Sequence, residues 1–318
     1  MLINPYSNEK DVIYIDVYQP IYWIKGTVAH ELNHMIHWNE DRPLIPYTLG
    51  EELWVHEGMA TFGSFITWGY SNYVTINYCY EHINWFMNYP DVTLTWTSYS
   101  DDENINRAQY GVTYLFVQYI YEHFGINTIR EILQNSKDGI GGFEDVLKDA
   151  GTTFEETFRK FVVANYLKDD QYREGSLYDD VAITDDITFT GQSVPHSDSV
   201  NRWAADYYEI SIANPQADNF YYKLEYPLLQ LAKDFWSALI LVNDTGSTII
   251  EKSILINQTT NFTQSEEYQK ALKQAEEKGI NVTKSILPET PPINANNTVT
   301  NAEKYQEIIL IISPLDKS

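Results

Sequence analysis

Three things are scarce in this sequence. Cysteine occurs once, at Cys79, in 318 residues, which excludes an intrachain disulfide and a cysteine-built metal site. Long apolar runs are missing: none reaches the roughly 18 residues of a membrane-spanning helix, and the longest, at 235–242, has the length of a strand. Positive charge is sparse, with 21 Lys and Arg against 45 Asp and Glu, a formal net charge of −24 and a sequence pI near 4.5. A field of that sign repels phosphate backbones and anionic lipid, so nucleic-acid and membrane-surface roles are disfavoured. The opening residues MLINPYSNEK show no signal-peptide pattern. Aromatic side chains, by contrast, make up 14% of the chain, and 43% of it is hydrophobic. That composition argues against disorder, and the length suits two domains at about 150 residues each.

The patterning divides the chain. Residues 11–18 (DVIYIDVY) read as a short N-terminal strand, and 27–38 as a helix with Val28, Leu32 and Met35 or Ile36 at helical spacing. A loop at 39–50 leads to a second helix at 51–68, apolar all round and therefore buried. Further helices are expected near 74–88, 108–124, 128–134, 142–150 and 153–167, with Pro90, Gly125 and Gly151 as breakers. Residues 168–200 begin with paired carboxylates and read as an acidic linker. From 201 to 318 the texture is that of a β-rich, sandwich-like domain, with strands near 205–212, 220–224, 237–242, 248–256 and 308–312 and one polar helix at 265–278. The expected fold class is α+β: a mostly helical region over 1–167, then the linker, then the β-rich domain.

Chemistry enters at His30-Glu31-Leu32-Asn33-His34. Residues four apart share a helix face, so the imidazoles of His30 and His34 can grip one Zn2+ ion, while Glu31 can reach a metal-bound water. The bland alternative is a helix with two solvated histidines. A hydrolytic zinc site needs a third protein ligand, and three residues compete for that role. His37 shares the face but lies about 10 Å along the axis from His30. Glu40 stands where an extended HExxHxxGxxH pattern places its third ligand, but His37 replaces the glycine that would break the helix. Glu57 is a carboxylate inside an otherwise apolar helix, where an unpaired charge costs several kcal/mol and demands a partner. No Lys or Arg lies between Arg42 and Arg107 to supply one, so Glu57 is favoured.

HELNH followed by Trp54-Val55-His56-Glu57-Gly58-Met59-Ala60 resembles the gluzincin metallopeptidases, in which a second helix supplies the third zinc ligand. SNEKDVIYID at 7–16, TVAHELNHMIHW at 27–38 and WVHEGMATF at 54–62 are similar to the hyicolysin-type family of secreted zinc peptidases. The similarity continues through DVTL at 91–94, QYGVTYLF at 109–116 and FRKFVVAN at 158–165, so it covers about 7–167. His56 departs from the family pattern, which has asparagine there. The resemblance implies a zincin-like catalytic region and hydrolysis of peptide bonds in proteins or peptides. Zinc would be held by His30, His34 and Glu57, with Glu31 as general base. It also implies an oxyanion donor downstream, for which Tyr110 is the first choice and Tyr99 the second. Glu52 would suit the helix N-terminus and Thr61 could support a ligand. An endopeptidase is favoured because no aminopeptidase-type Gly-x-Met-Glu-Asn motif is found. Gluzincin domains place a sheet ahead of the first motif, and only 29 residues precede His30. The chain is therefore expected to be the latter part of something longer.

The remaining features read more plainly. His82, His123 and His196 stand alone, and Asp101-Asp102-Glu103 reads as a solvated loop, not a calcium site. Cys79 reads as a small buried hydrophobe. Asn243, Asn257, Asn261, Asn281 and Asn296 all stand in Asn-x-Ser/Thr frames, which points to an exported glycoprotein, extracellular or at the cell surface. The competing reading is a non-catalytic surface or binding protein that keeps a structural or relic zinc site.

Overall fold

The structure is a computed structural model that describes residues 13–40, 51–69, 72–167, 185–189, 200–212, 219–226, 234–243, 246–255, 293–300 and 307–315. Among the described residues, seven helices come first: α1 (Ile21–Glu40), α2 (Leu53–Trp68), α3 (Tyr73–Asn88), α4 (Glu103–Phe124), α5 (Ile126–Leu133), α6 (Ile140–Asp149) and α7 (Phe154–Leu167). Seven strands follow among those residues: β1 (Asp185–Phe189), β2 (Asp206–Ile212), β3 (Asn219–Tyr226), β4 (Asp234–Asn243), β5 (Gly246–Leu255), β6 (Ile293–Thr300) and β7 (Glu307–Leu315). The chain forms two compact units, one of 1–184 with 200–207 and the other of 185–199 with 208–318.

The expected N-terminal strand is not formed. Residues 13–16 are not in a strand, and Asp16 closes a turn in which its Oδ1 accepts from Tyr18 N at 2.9 Å. Residues 11 and 12 lie outside the described residues. The helix that follows starts at Ile21, six residues earlier than the pattern predicts. Tertiary packing draws the extra turns in: Tyr22 meets Tyr73 edge-on at 5.3 Å, and Trp23 meets Tyr78 at 4.8 Å. The helix is also turned against expectation. Gly26, Ala29, His30 and His37 are buried, whereas Val28, Leu32 and Ile36 are at least one-third exposed. Its polar, histidine-bearing side is the one that packs.

Helix α2 runs through the interior with every residue from Trp54 to Phe65 buried except His56. Asn72 caps α3 by accepting from Val74 N, and Asp102 caps α4 by accepting from Asn104 N, each at 2.9 Å. Helices α1, α2, α3 and α4 pack together, and α4 comes closest at two glycines. A Cβ on Gly111 would stand 2.1 Å from the carbonyl oxygen of His82, and one on Gly58 would stand 3.0 Å from that of Thr113. Missing side chains at these two positions bring α4, with Tyr110, against α3 and α2. Beyond them Phe116 is ringed by Phe143, Phe154, Phe158 and Phe161 at 5.3–6.4 Å. Fully burying one such ring stabilises the fold by about 2–3 kcal/mol.

Residues 200–207 join this helical unit. Trp203 packs on Phe154 and Phe158 at 4.9 and 5.2 Å, and its carbonyl accepts from Leu94 N at 2.8 Å. Its φ of 50° is a left-handed conformation costing about 1–3 kcal/mol, which the packed indole offsets.

In the second unit the strand order is β1-β2-β7-β4-β5 in one sheet and β3-β6 in a separate ribbon. β1 pairs parallel with β2, while β4 pairs antiparallel with both β5 and β7. The chain is thus α+β, and the face-to-face sheets of a sandwich are not seen among the described residues. Strands β1 and β6 were not expected. β1 falls in the acidic stretch, and β6 (INANNTVT) is mostly polar, with Ile293, Ala295 and Val299 alternating on one side, and pairs with β3 over eight residues. The expected helix at 265–278 lies outside the described residues. No described helix is long and apolar enough to cross a membrane.

Candidate metal centre

Helices α1 and α2 lie side by side, so the face of one that carries His30 and His34 meets Glu57 on the other. His30 Nε2 stands 3.0 Å from Glu57 Oε2 and 3.1 Å from His34 Nε2. His34 Nε2 stands 3.4 Å from the same Glu57 oxygen. Three ligand atoms thus converge from two helices, and this is the group among the described residues that can hold a metal ion. A tetrahedral ion with bonds of about 2.0–2.1 Å separates its ligand atoms by about 3.3 Å. The three spacings match that value. Two imidazoles and one carboxylate also form a suitable donor set for a small divalent cation.

The surroundings fit the same purpose. Only 4% of His30 and 6% of Glu57 are exposed, and no Lys or Arg among the described residues pairs with that carboxylate. Thr61 Oγ1, one turn beyond Glu57, lies 3.3 Å from His30 Nδ1. Tyr99, in the loop before α4, donates its hydroxyl to Glu57 Oε1 at 2.8 Å, and its oxygen lies 3.4 Å from that of Tyr110. Tyr110 stacks on His82 at 5.2 Å, with its ring 6.0 Å from that of His30. Glu31 is half-buried on α1, and its charge acts on both His34 and Tyr99.

Burial alone pushes the Glu57 carboxyl up, but hydrogen bonds from His30 and His34 override it and hold it below the ordinary carboxylate range. The His34 imidazole is lowered by burial and raised more by its hydrogen bond to Glu57 and the charge there, so it ends above its ordinary value. Burial, with the Glu57 charge behind it, pushes the Tyr99 phenol up to about 12 and Tyr110 also upward. Both hydroxyls therefore keep their protons at neutral pH.

The other sequence candidates fall elsewhere. His37 is buried with its ring 4.7 Å from that of His56, and burial lowers it to about 3 and His56 to about 4. Glu40 accepts from Gln134 Nε2 at 2.9 Å at an exposed position. Glu52 does stand at the N-terminus of α2, as its N-cap residue, where its side chain accepts from the Trp54 indole at 2.6 Å and makes no capping hydrogen bond. His82 is a core residue, and Asp102 is a helix cap. Cys79 is buried, its thiol 3.9 Å from the Thr61 carbonyl. His196, Asn257, Asn261 and Asn281 lie outside the described residues. The contact that sequence reasoning missed is the one from Tyr99 to Glu57. It spans 42 residues from a loop, and no periodicity marks it.

A comparison with protein-family models finds no match, and neither does one with curated proteins.

Proposed function

We propose that this chain is a zinc-dependent peptidase of the gluzincin type that hydrolyses peptide bonds in proteins or peptides. His30, His34 and Glu57 would hold the ion. The observation that carries this reading is the convergence of their three ligand atoms at 3.0–3.4 Å from two separate helices, with Glu31 on the turn between the histidines. When bound there, zinc supplies Lewis acidity, polarising a carbonyl and acidifying water. Glu31 takes the proton of the attacking water and passes it to the leaving amine. The Tyr110 phenol, kept protonated by burial and the Glu57 charge, donates to the oxygen on which negative charge develops. Tyr99 is engaged with Glu57. The Asn-x-Ser/Thr frames support export of the chain.

The test is Glu31→Gln, which leaves the three ligands in place. This variant is expected to bind zinc as the parent does and to lose casein hydrolysis. Full proteolysis by it would refute the assigned base. Stoichiometric zinc in a parent chain that never turns over would favour the non-catalytic reading.

A further inference from the structure

We infer that Tyr99 is a positioning residue that limits Glu57 to one metal-binding oxygen. The inference rests on the metal-site reading above and extends it to a residue outside the ligand set. The two oxygens of Glu57 face different partners. Oε2 sits between His30 Nε2 and His34 Nε2 at 3.0 and 3.4 Å, while Oε1 accepts the Tyr99 hydroxyl at 2.8 Å. A carboxylate can offer an ion one oxygen or both, and nothing in its own chemistry decides between them. Here the decision is external. A hydrogen bond from a neutral phenol to a buried carboxylate is charge-assisted and strong, and it holds Oε1 away from the histidine nitrogens.

The consequence concerns the open coordination position. Two histidines and one carboxylate oxygen make three ligands, which leaves a place for water in a tetrahedral site. A carboxylate binding through both oxygens would use that place. Tyr99 is itself braced, with its ring near parallel to that of Tyr110 and 5.5 Å from that of Trp96. At 52% exposure it contributes little to the core, so its hydroxyl can be removed without unfolding the helices.

The experiment replaces zinc with cobalt(II), whose visible absorption is several-fold stronger in four-coordinate than in five-coordinate sites. Cobalt(II) is titrated into the metal-free full chain, Tyr99→Phe and Tyr110→Phe, and zinc affinity is measured by chelator competition. Tyr99→Phe should bind one ion, lose visible intensity and weaken zinc binding about tenfold, the lower end of the effect of removing a hydrogen-bond partner of a ligand. Tyr110→Phe, which touches Glu57 only through Tyr99, should keep the parent spectrum. A parent spectrum and parent affinity in Tyr99→Phe would overturn the inference and leave the metal site standing. An equal change in both variants would overturn it too, by assigning the effect to the aromatic stack. Failure of the parent chain to bind one ion would remove the metal-site reading itself.

Discussion

Thr61 Oγ1 lies 3.3 Å from Nδ1 of His30, on the opposite side of the ring from the nitrogen that meets Glu57 and His34. A neutral imidazole carries one N–H. Once a cation takes the place of the His30–Glu57 hydrogen bond, a proton on Nδ1 donated to the threonine leaves the Nε2 lone pair for that cation. Thr61 is fully buried, so no water competes for the contact. Thr61→Val should keep the shape and lose the acceptor, weakening zinc binding about tenfold. Chelator competition measures this, and unchanged affinity would show that the contact does not set the tautomer.

Glu57→Ala removes the ligand proposed on α2 and leaves two histidines, which should no longer hold an ion. Zinc stoichiometry after dialysis should fall from one per chain to near zero. One tightly held zinc in this variant would mean that another residue is the third ligand.

Gly111→Ala tests the close approach of α3 and α4. Alanine favours an isolated helix over glycine by up to about 1 kcal/mol, but the added Cβ would stand 2.1 Å from the backbone oxygen of His82. Backbone cannot swing aside as a side chain does, so the clash should win by about 1–3 kcal/mol. Urea unfolding should show a lower midpoint, and a higher one would mean that the helices separate at little cost.

His82 gives stability a pH dependence. Burial, helped by the charges of His30 and Arg107, lowers its pKa to about 3, while the unfolded chain keeps the ordinary 6.5. Below pH 6.5 the unfolded state takes the proton first. The stability that His82 contributes is therefore complete above 6.5 and is lost as pH falls towards 3, at up to about 1.4 kcal/mol per unit. His34, raised by Glu57, has the opposite sign, so the difference between parent and His82→Gln isolates the effect. In chelator, urea unfolding at pH 7, 6, 5 and 4 should show the destabilisation by His82→Gln shrinking as pH falls. A gap that stays constant would contradict it.

The cluster of His30, His34 and Glu57 was legible in the sequence because one of its signals is geometric and the other energetic. Histidines four apart share a helix face, and a carboxylate among Trp54, Val55 and Met59 must have a partner. The orientation of α1 was not legible. Val28, Leu32 and Ile36 form the apolar stripe that normally turns inward, but the inward side is the one that must meet Glu57. Strand formation misled in both directions. Residues 13–16 have strand composition and are not in a strand, while β6 is mostly polar and pairs with β3 along its whole length. Tyr110 first and Tyr99 second are named only through the family resemblance, as candidates for the oxyanion donor. Which of them touches the carboxylate depends on the loop before α4 and could not be read from spacing.

Casein hydrolysis by the zinc-loaded chain, before and after chelation and after zinc is restored, tests the central claim most directly. A zinc peptidase should cleave, stop cleaving when the metal is removed, and recover when zinc returns. Hydrolysis indifferent to chelation, or one bound zinc with no cleavage, would contradict it.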